Sequence, residues 1–346
     1  MTPYASETFL HQLLAKALAA GASDVHLKVG QPPGARVRGE LIFFRVDKIR
    51  PEDTEAAAAL LLGARTEPVQ HEEVFAYEAA GLGRFRVSAF RQRGVLSLVM
   101  RSVPLQVPTL ADLGLPAAAK TLIEQTRGLV VLAGGSGTGK STTAAALVGH
   151  LNENFAKHVI TFEDPIEVLH EDRRGSVSQR ALGADTLSLA AGLRAALVQD
   201  ADVLFVADLL TPDASGALEA ALDAVELGHL VLVVVAAPDV FRAVGRLFAL
   251  GRAVPDFVAR FAGALQGVLA QRLLPKRDQS GLVLACEVLV TTGVVREALR
   301  GMGQSTSLPS GHDMAALREQ MEKGQSAYGM QTFEMHVRQL AAQAIV

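Results

Sequence analysis

Four short apolar runs mark the middle of the chain, at 129–133, 158–162, 203–207 and 230–236, and stretches with helical spacing separate them. Runs that are apolar at nearly every position fit strands buried on both faces. Their alternation with helices predicts a mostly parallel sheet. The pattern before residue 104 differs. Residues 5–20 carry apolar positions at helical spacing behind Ser6, a candidate N-cap, and stop at Gly21. "SDVHLKVG" then alternates polar and apolar positions as a half-buried strand does. "QPPG" forces a turn, and "ARVRGELIFF" continues as strand with a break at Gly39-Glu40. Residues 51–64 read as helix, and "GRFRVSAFRQRGVLSLVMRSVP" as two strands joined near Arg93-Gly94. This first part is expected to be α+β around a mixed sheet. "PLQVPTLADLGLP" (104–116) is proline-rich and weakly periodic. It is read as a linker at 105–116 between domains at 1–104 and 117–346. After Thr291 the pattern is helical, broken by the Gly/Ser/Pro-rich stretch 301–311, which is expected to be a mobile loop.

Composition narrows the class. The chain has 346 residues, about two domains' worth, 49% of them hydrophobic but only 5% aromatic, so Ala, Leu and Val must build the core. A net charge of −3 offers no electrostatic footprint for nucleic acid or anionic lipid. The single cysteine, Cys286, excludes an intramolecular disulfide and a cysteine-based metal site, and its place in "LVLACEVLV" reads as a buried thiol. The N-terminus lacks a basic region followed by an apolar core, so no signal peptide is expected. The longest uncharged apolar run, Leu230 to Pro238, is too short to span a bilayer. A cytoplasmic protein is expected.

The strongest chemical signal follows the first of the four runs. Gly134-Gly135-Ser136-Gly137-Thr138-Gly139-Lys140-Ser141 fits G-x-x-x-x-G-K-[ST] in full, with a strand pattern before it and an Ala-rich helix pattern after Thr142. Glycines let such a loop wrap with its N–H groups facing phosphate oxygens, and the helix N-terminus adds partial positive charge. Lys140 is expected to reach the β- and γ-phosphates of ATP, and the Ser141 hydroxyl to hold Mg²⁺. The bland alternative, a Gly-rich turn with a chance lysine, does not explain the flanking strand and helix.

Further motifs follow in order. "TFEDPIEVLH" (161–170) looks like an Asp box, "VQDADVLFVAD" (198–208) like a Walker B segment, and "ELGHLVLVV" (226–234) like a His box. "GASDVHLKVGQPPGARVRGEL" and "GRFRVSAF" match the N-terminal side of the same pattern, and "AQRLLPK" (270–276) and "GMQTF" (329–333) its C-terminal side. The chain therefore resembles the type IV pilus retraction ATPases (PilT-like), within the secretion ATPase superfamily. That resemblance implies a PAS-like α+β N-terminal domain followed by a RecA-like α/β ATPase core. It implies a homohexameric ring at the cytoplasmic base of the pilus machine, peripheral to the inner membrane and working against its inner-membrane platform.

Candidate roles each have a structural alternative. Glu163, with Asp164 and Glu167 nearby, can bind Mg²⁺ through water or orient a nucleophile; Asp164-Pro165 is also good helix-capping chemistry. His229 matches the His box, although a histidine at the start of a buried strand is commonly a satisfied core residue. Arg86 and Arg101 sit where superfamily arginines reach the γ-phosphate, a task that suits a guanidinium, or they are solvated positions on alternating strands.

Departures from the family pattern cluster. Asp208, a candidate for both the catalytic and the metal-binding acid, replaces the Walker B glutamate; Leu210 replaces an arginine, Ala236 a second histidine, and Val198 another arginine. Asp is one methylene shorter than Glu, which withdraws its carboxylate by roughly 1–1.5 Å. A misplacement of ~1 Å can cost about 100-fold in rate. The sequence thus supports a retraction motor with intact nucleotide binding and slow hydrolysis, or a hydrolysis-deficient accessory paralog acting with an active retraction ATPase. A small-molecule kinase shares only the phosphate loop.

Overall fold

The computed structural model describes residues 2–37, 39–63, 67–103, 107–302, 309 and 311–346, with the backbone alone at 311–313. Most of the 301–311 stretch, and part of the 105–116 stretch, lie outside the described residues. The chain divides into two units, Met1–Gln106 with Asp164–Leu169, and Val107–Glu163 with His170–Val346.

The first unit holds helices α1 (Glu7–Ala19) and α2 (Pro51–Leu62) and strands β1 (Ala22–Lys28), β2 (Gly34–Val37), β3 (Glu40–Phe43), β4 (Glu72–Ala79), β5 (Gly83–Gln92) and β6 (Val95–Val103). The six strands form one sheet in the order β3-β2-β1-β6-β5-β4. Every pairing is antiparallel, which corrects the expectation of a mixed sheet. Four of its five pairs join strands adjacent in sequence through short connections, and such links favour antiparallel neighbours. The β5–β6 link is two residues in the left-handed region, Arg93 (φ 50°) and Gly94 (φ 81°), the turn geometry that matches strand twist. Alternate residues of the inner strands, among them Val25, Leu27, Phe85, Val87, Leu98 and Met100, share one core with Leu10 and Leu14 of α1 and Ala57 and Leu61 of α2.

The second unit carries the four apolar runs as β7 (Gly128–Gly134), β8 (His158–Glu163), β10 (Val203–Val206) and β11 (Leu230–Ala236), and adds β9 (Ser176–Ala181), β12 (Leu265–Pro275) and β13 (Leu282–Val290). Its order is β13-β12-β7-β11-β10-β8-β9, parallel except for the β12–β13 pair. This is the expected doubly covered α/β core. In β7, Leu129, Val131 and Ala133 enter one core while Val130 and Leu132 enter the other. Helices α3 (Ala117–Ile123) and α4 (Lys140–Asn154) cover the second face. Helices α5 (Leu189–Ala196), α6 (Ala214–Glu226), α7 (Val240–Gly251) and α8 (Phe257–Ala264) cover the first. The C-terminal helices α9 (Gly293–Met302), α10 (Gly311–Lys323), α11 (Gln325–Tyr328) and α12 (Phe333–Ala342) follow. "GMQTF" anchors this tail: Gln331 bridges to Val288 of β13 through two backbone bonds of 2.8 and 3.1 Å, and its side chain donates to the Cys286 carbonyl. Among the described residues no helix is long and apolar enough to cross a membrane.

Candidate functional site

The parallel strands of the second unit end along one edge, where ligands bind in open α/β sheets. β7 ends at Gly134, and the loop to α4 turns through Gly137 (φ 72°) and Gly139 (φ 85°), a conformation that penalises any residue with a Cβ. Gly134 is required for a different reason: a Cβ there would lie 2.4 Å from Thr138 Oγ1 and 3.0 Å from Lys140 Cγ. Gly139 caps α4, so the first helical N–H groups, from Lys140 onward, have no partner within the helix and form an anion-ready end. Lys140 Nζ donates to the Gly135 carbonyl at 2.7 Å, and Thr138 Oγ1 donates to the same oxygen at 3.0 Å. Burial holds the Lys140 ammonium below its usual pKa, and the Asp208 carboxylate opposes that shift. Ser136 and Ser141 are exposed, with Gly135 and Thr142 partly so. The loop is also held from β12, where Gln271 Nε2 donates to the Thr138 carbonyl at 2.7 Å.

Strand register decides which acids join this edge. Phe162 pairs with Val206, Val206 with Val233, and Ala236 with Gly134. Glu163 and Asp208, just past Phe162 and Val206, therefore lie at the phosphate-loop end. Glu163 is buried, 8% exposed, and its Oε1 accepts from Thr161 Oγ1 at 2.7 Å and Gln179 Nε2 at 2.9 Å. Asp208 is exposed, and its Oδ1 accepts the Leu210 N–H at 2.9 Å. Leu210 packs against the core behind it and so brings no charge to the site.

The same register places His229 at the opposite end of the sheet. Leu230 pairs with Gly128 at the start of β7, six residues before Gly134. At about 3.3 Å per residue, His229 sits roughly 20 Å from the phosphate-loop edge. Its Nδ1 lies 2.7 Å from the Ala201 carbonyl, an acceptor only, so the proton is on Nδ1 and the ring ties two loops together. The phosphate-loop end of β11 is instead Ala236-Ala237-Pro238, followed by Asp239, whose carboxylate caps α7 by accepting the Arg242 N–H.

Arg86 and Arg101 belong to the first unit and are brought together there, directly opposed on β5 and β6, with Asp24 of β1 next in the same row. Like charges in that position repel, and each has an acid. Arg86 Nη1 bonds Glu167 Oε1 at 2.9 Å, and Arg101 Nε bonds Asp24 Oδ1 at 2.8 Å. Arg84 Nε adds a bond to the Ile166 carbonyl at 3.1 Å. Segment 164–169 is thus fastened to β5, and Glu167 serves Arg86 rather than Glu163. Val198 is 88% exposed. Among the described residues no cluster of three or more His, Cys, Asp or Glu forms a protein-only metal site. Gln271, Thr161 and Gln179 were not picked out as site residues; Gln271 lay within "AQRLLPK", a motif without an assigned role.

A family model described as Type II/IV secretion system protein matches residues 79–326. The type IV pilus ATPase PilU of Pseudomonas aeruginosa is 33% identical over 344 residues, covering 96% of this chain and 85% of that protein. The type IV pilus retraction ATPase PilT of the same organism is 32% identical over 340 residues, covering 97% and 94%. A crystal structure of the pilus retraction motor PilT with bound ADP superimposes with a TM-score of 0.81 at 31% identity, covering 97% of this chain and 94% of that one. The chain belongs to the Type II/IV secretion system protein family.

Proposed function

We propose that the chain is an ATP-binding ring subunit of a type IV pilus machine, of the retraction type, with intact nucleotide binding and weakened hydrolysis. The observation that carries this reading is the pairing, along one sheet edge, of a complete phosphate loop with a shortened acid at Asp208 and an uncharged turn at 236–238. The fit to ATP rests on Gly134, Gly137 and Gly139 and on the unpaired N–H groups of α4. Bound with ATP, Mg²⁺ supplies charge neutralisation at the phosphates. The loop from Gly134 to Thr142 cradles the phosphate chain. Lys140 would exchange the Gly135 carbonyl for phosphate oxygens, and Ser141 and Asp208 would hold the cation. Glu163, fixed by Thr161 and Gln179, would orient water, and Asp208, one methylene shorter than glutamate, would polarise it less effectively. Arg86 and Arg101 exchange Glu167 and Asp24 for phosphate when subunits assemble in a homohexameric ring, since head-to-tail packing closes a ring. The domains act as a PAS-like part and a RecA-like part. The protein works in the cytoplasm, at the inner membrane against the pilus platform, and binds no nucleic acid.

A second reading, an accessory subunit acting with an active retraction ATPase, is favoured by the losses at Asp208, Leu210, Ala236 and Val198. The test is Mg·ATP binding and phosphate release by the purified ring. Mg·ATP is expected to bind and Lys140→Ala to abolish binding, with slow release in the wild type. Turnover comparable to an ordinary retraction motor overturns the weakened-hydrolysis reading.

A further inference from the structure

Gln271 occupies a position that fold stability does not explain. It is 0% exposed and stands on β12 opposite Gly134, and its amide bridges 133 residues of sequence to reach the Thr138 carbonyl. Among the described residues nothing donates to its Oε1, which is fully buried. A buried unpaired acceptor is unfavourable, and an apolar side chain of similar shape would avoid it. The retained amide therefore serves the loop it touches. The peptide between Thr138 and Gly139 is planar, so its C=O and N–H point in opposite directions. Drawing the Thr138 carbonyl onto β12 turns the Gly139 N–H away from β12.

We propose that Gln271 is a positioning residue of the phosphate loop, holding the Thr138–Gly139 peptide so that the Gly139 N–H is presented to a nucleotide phosphate. This deepens the nucleotide-binding reading and rests on it. The two contacts that shape the loop differ in kind. Lys140 is held by the Gly135 carbonyl and must leave it to meet phosphate. The Thr138 carbonyl is an acceptor that phosphate oxygens repel, so its bond to Gln271 persists when nucleotide binds. The fit is close: a Cβ on Gly139 would lie 3.3 Å from Gln271 Nε2, and one on Gly134 would lie 3.2 Å from the Gln271 carbonyl. The next residue is engaged elsewhere. Arg272 lies over the Phe333 ring at 4.0 Å and reaches the Pro238 carbonyl at 3.3 Å.

The experiment uses the full chain and three variants, Gln271→Leu, Gln271→Met and Gln271→Glu, with calorimetric titration of Mg·ADP and thermal melting without nucleotide. The Leu and Met variants lack the donor but keep an unbranched or similar volume. They are expected to melt at or above the wild-type temperature and to bind Mg·ADP about tenfold more weakly, the effect of one well-placed hydrogen bond. The Glu variant, an acceptor when ionised, is expected to bind more weakly still. Binding within about twofold of wild type in a variant with wild-type melting overturns the proposal. So does a loss of affinity that merely tracks a loss of melting temperature across the three. Failure of the wild type itself to bind Mg·ADP overturns the nucleotide reading instead, and this inference with it.

Discussion

The roles proposed for Asp208 and Lys140 at the phosphate-loop edge are each testable alone. Asp208→Glu restores the missing methylene. It is expected to raise phosphate release by on the order of 10- to 100-fold if position is the main defect. An unchanged rate, with Mg·ATP binding intact, assigns the loss to Leu210 and Ala236 instead. At Asp24, burial works to raise the carboxyl, but bonds from Ser23 and Arg101 outweigh it and hold it below the usual carboxylate value. A carboxyl depressed on folding contributes stability that is full above its unfolded pKa, near 3.9, and fades as pH falls through the lower folded value. Asp24→Asn is therefore expected to lower the melting temperature at neutral pH, with the gap to wild type closing below about pH 4. A gap that widens in acid contradicts the assignment. Arg101→Ala removes one partner of that pair and leaves Asp24 buried, so it is expected to cost about 1–3 kcal/mol of stability.

At the scale of elements, what was legible in the sequence follows burial. β7, β8, β10 and β11 are covered on both faces and so read as apolar runs, interrupted within β8 by Thr161. The strands that stayed hidden lack that signature. β4 is "EEVFAYEA" and largely half-exposed, and β9, "SVSQRA", is a polar edge. β12 begins at Leu265 directly after α8 ends at Ala264, with no turn residue between them. The phosphate loop was legible in full because its glycines answer to local backbone angles. His229 was legible as the start of a buried strand, but its distance from the phosphate loop was not, because motif order says which strand a residue belongs to and parallel register says which ends lie together. Gln271 was out of reach because its partner is 133 residues away. Element packing also governs Cys286. Within β13 the thiol is fully buried, and burial pushes its pKa up to about 12. Labelling by a thiol-specific disulfide reagent near pH 8 is expected to be at least about 100-fold slower in the native protein than in denaturant. Fast native labelling would show that "GMQTF" does not keep the tail docked on β13.

At the scale of the whole chain, the two units are not two consecutive stretches. The backbone leaves the nucleotide unit after Glu163, contributes Asp164–Leu169 to the first unit, and returns at His170. Residues 107–346 expressed alone are expected to be cut by a nonspecific protease within 164–169, because Arg84 and Arg86, which fasten that segment, are missing. Protection equal to that of the full chain would show that the segment folds without β5. The crossing has a topological consequence. Glu163 is the last residue of β8 and Asp164 already belongs to the first unit, so the backbone passes from one unit to the other here with no spacer residue, and neither unit can be excised as one continuous stretch.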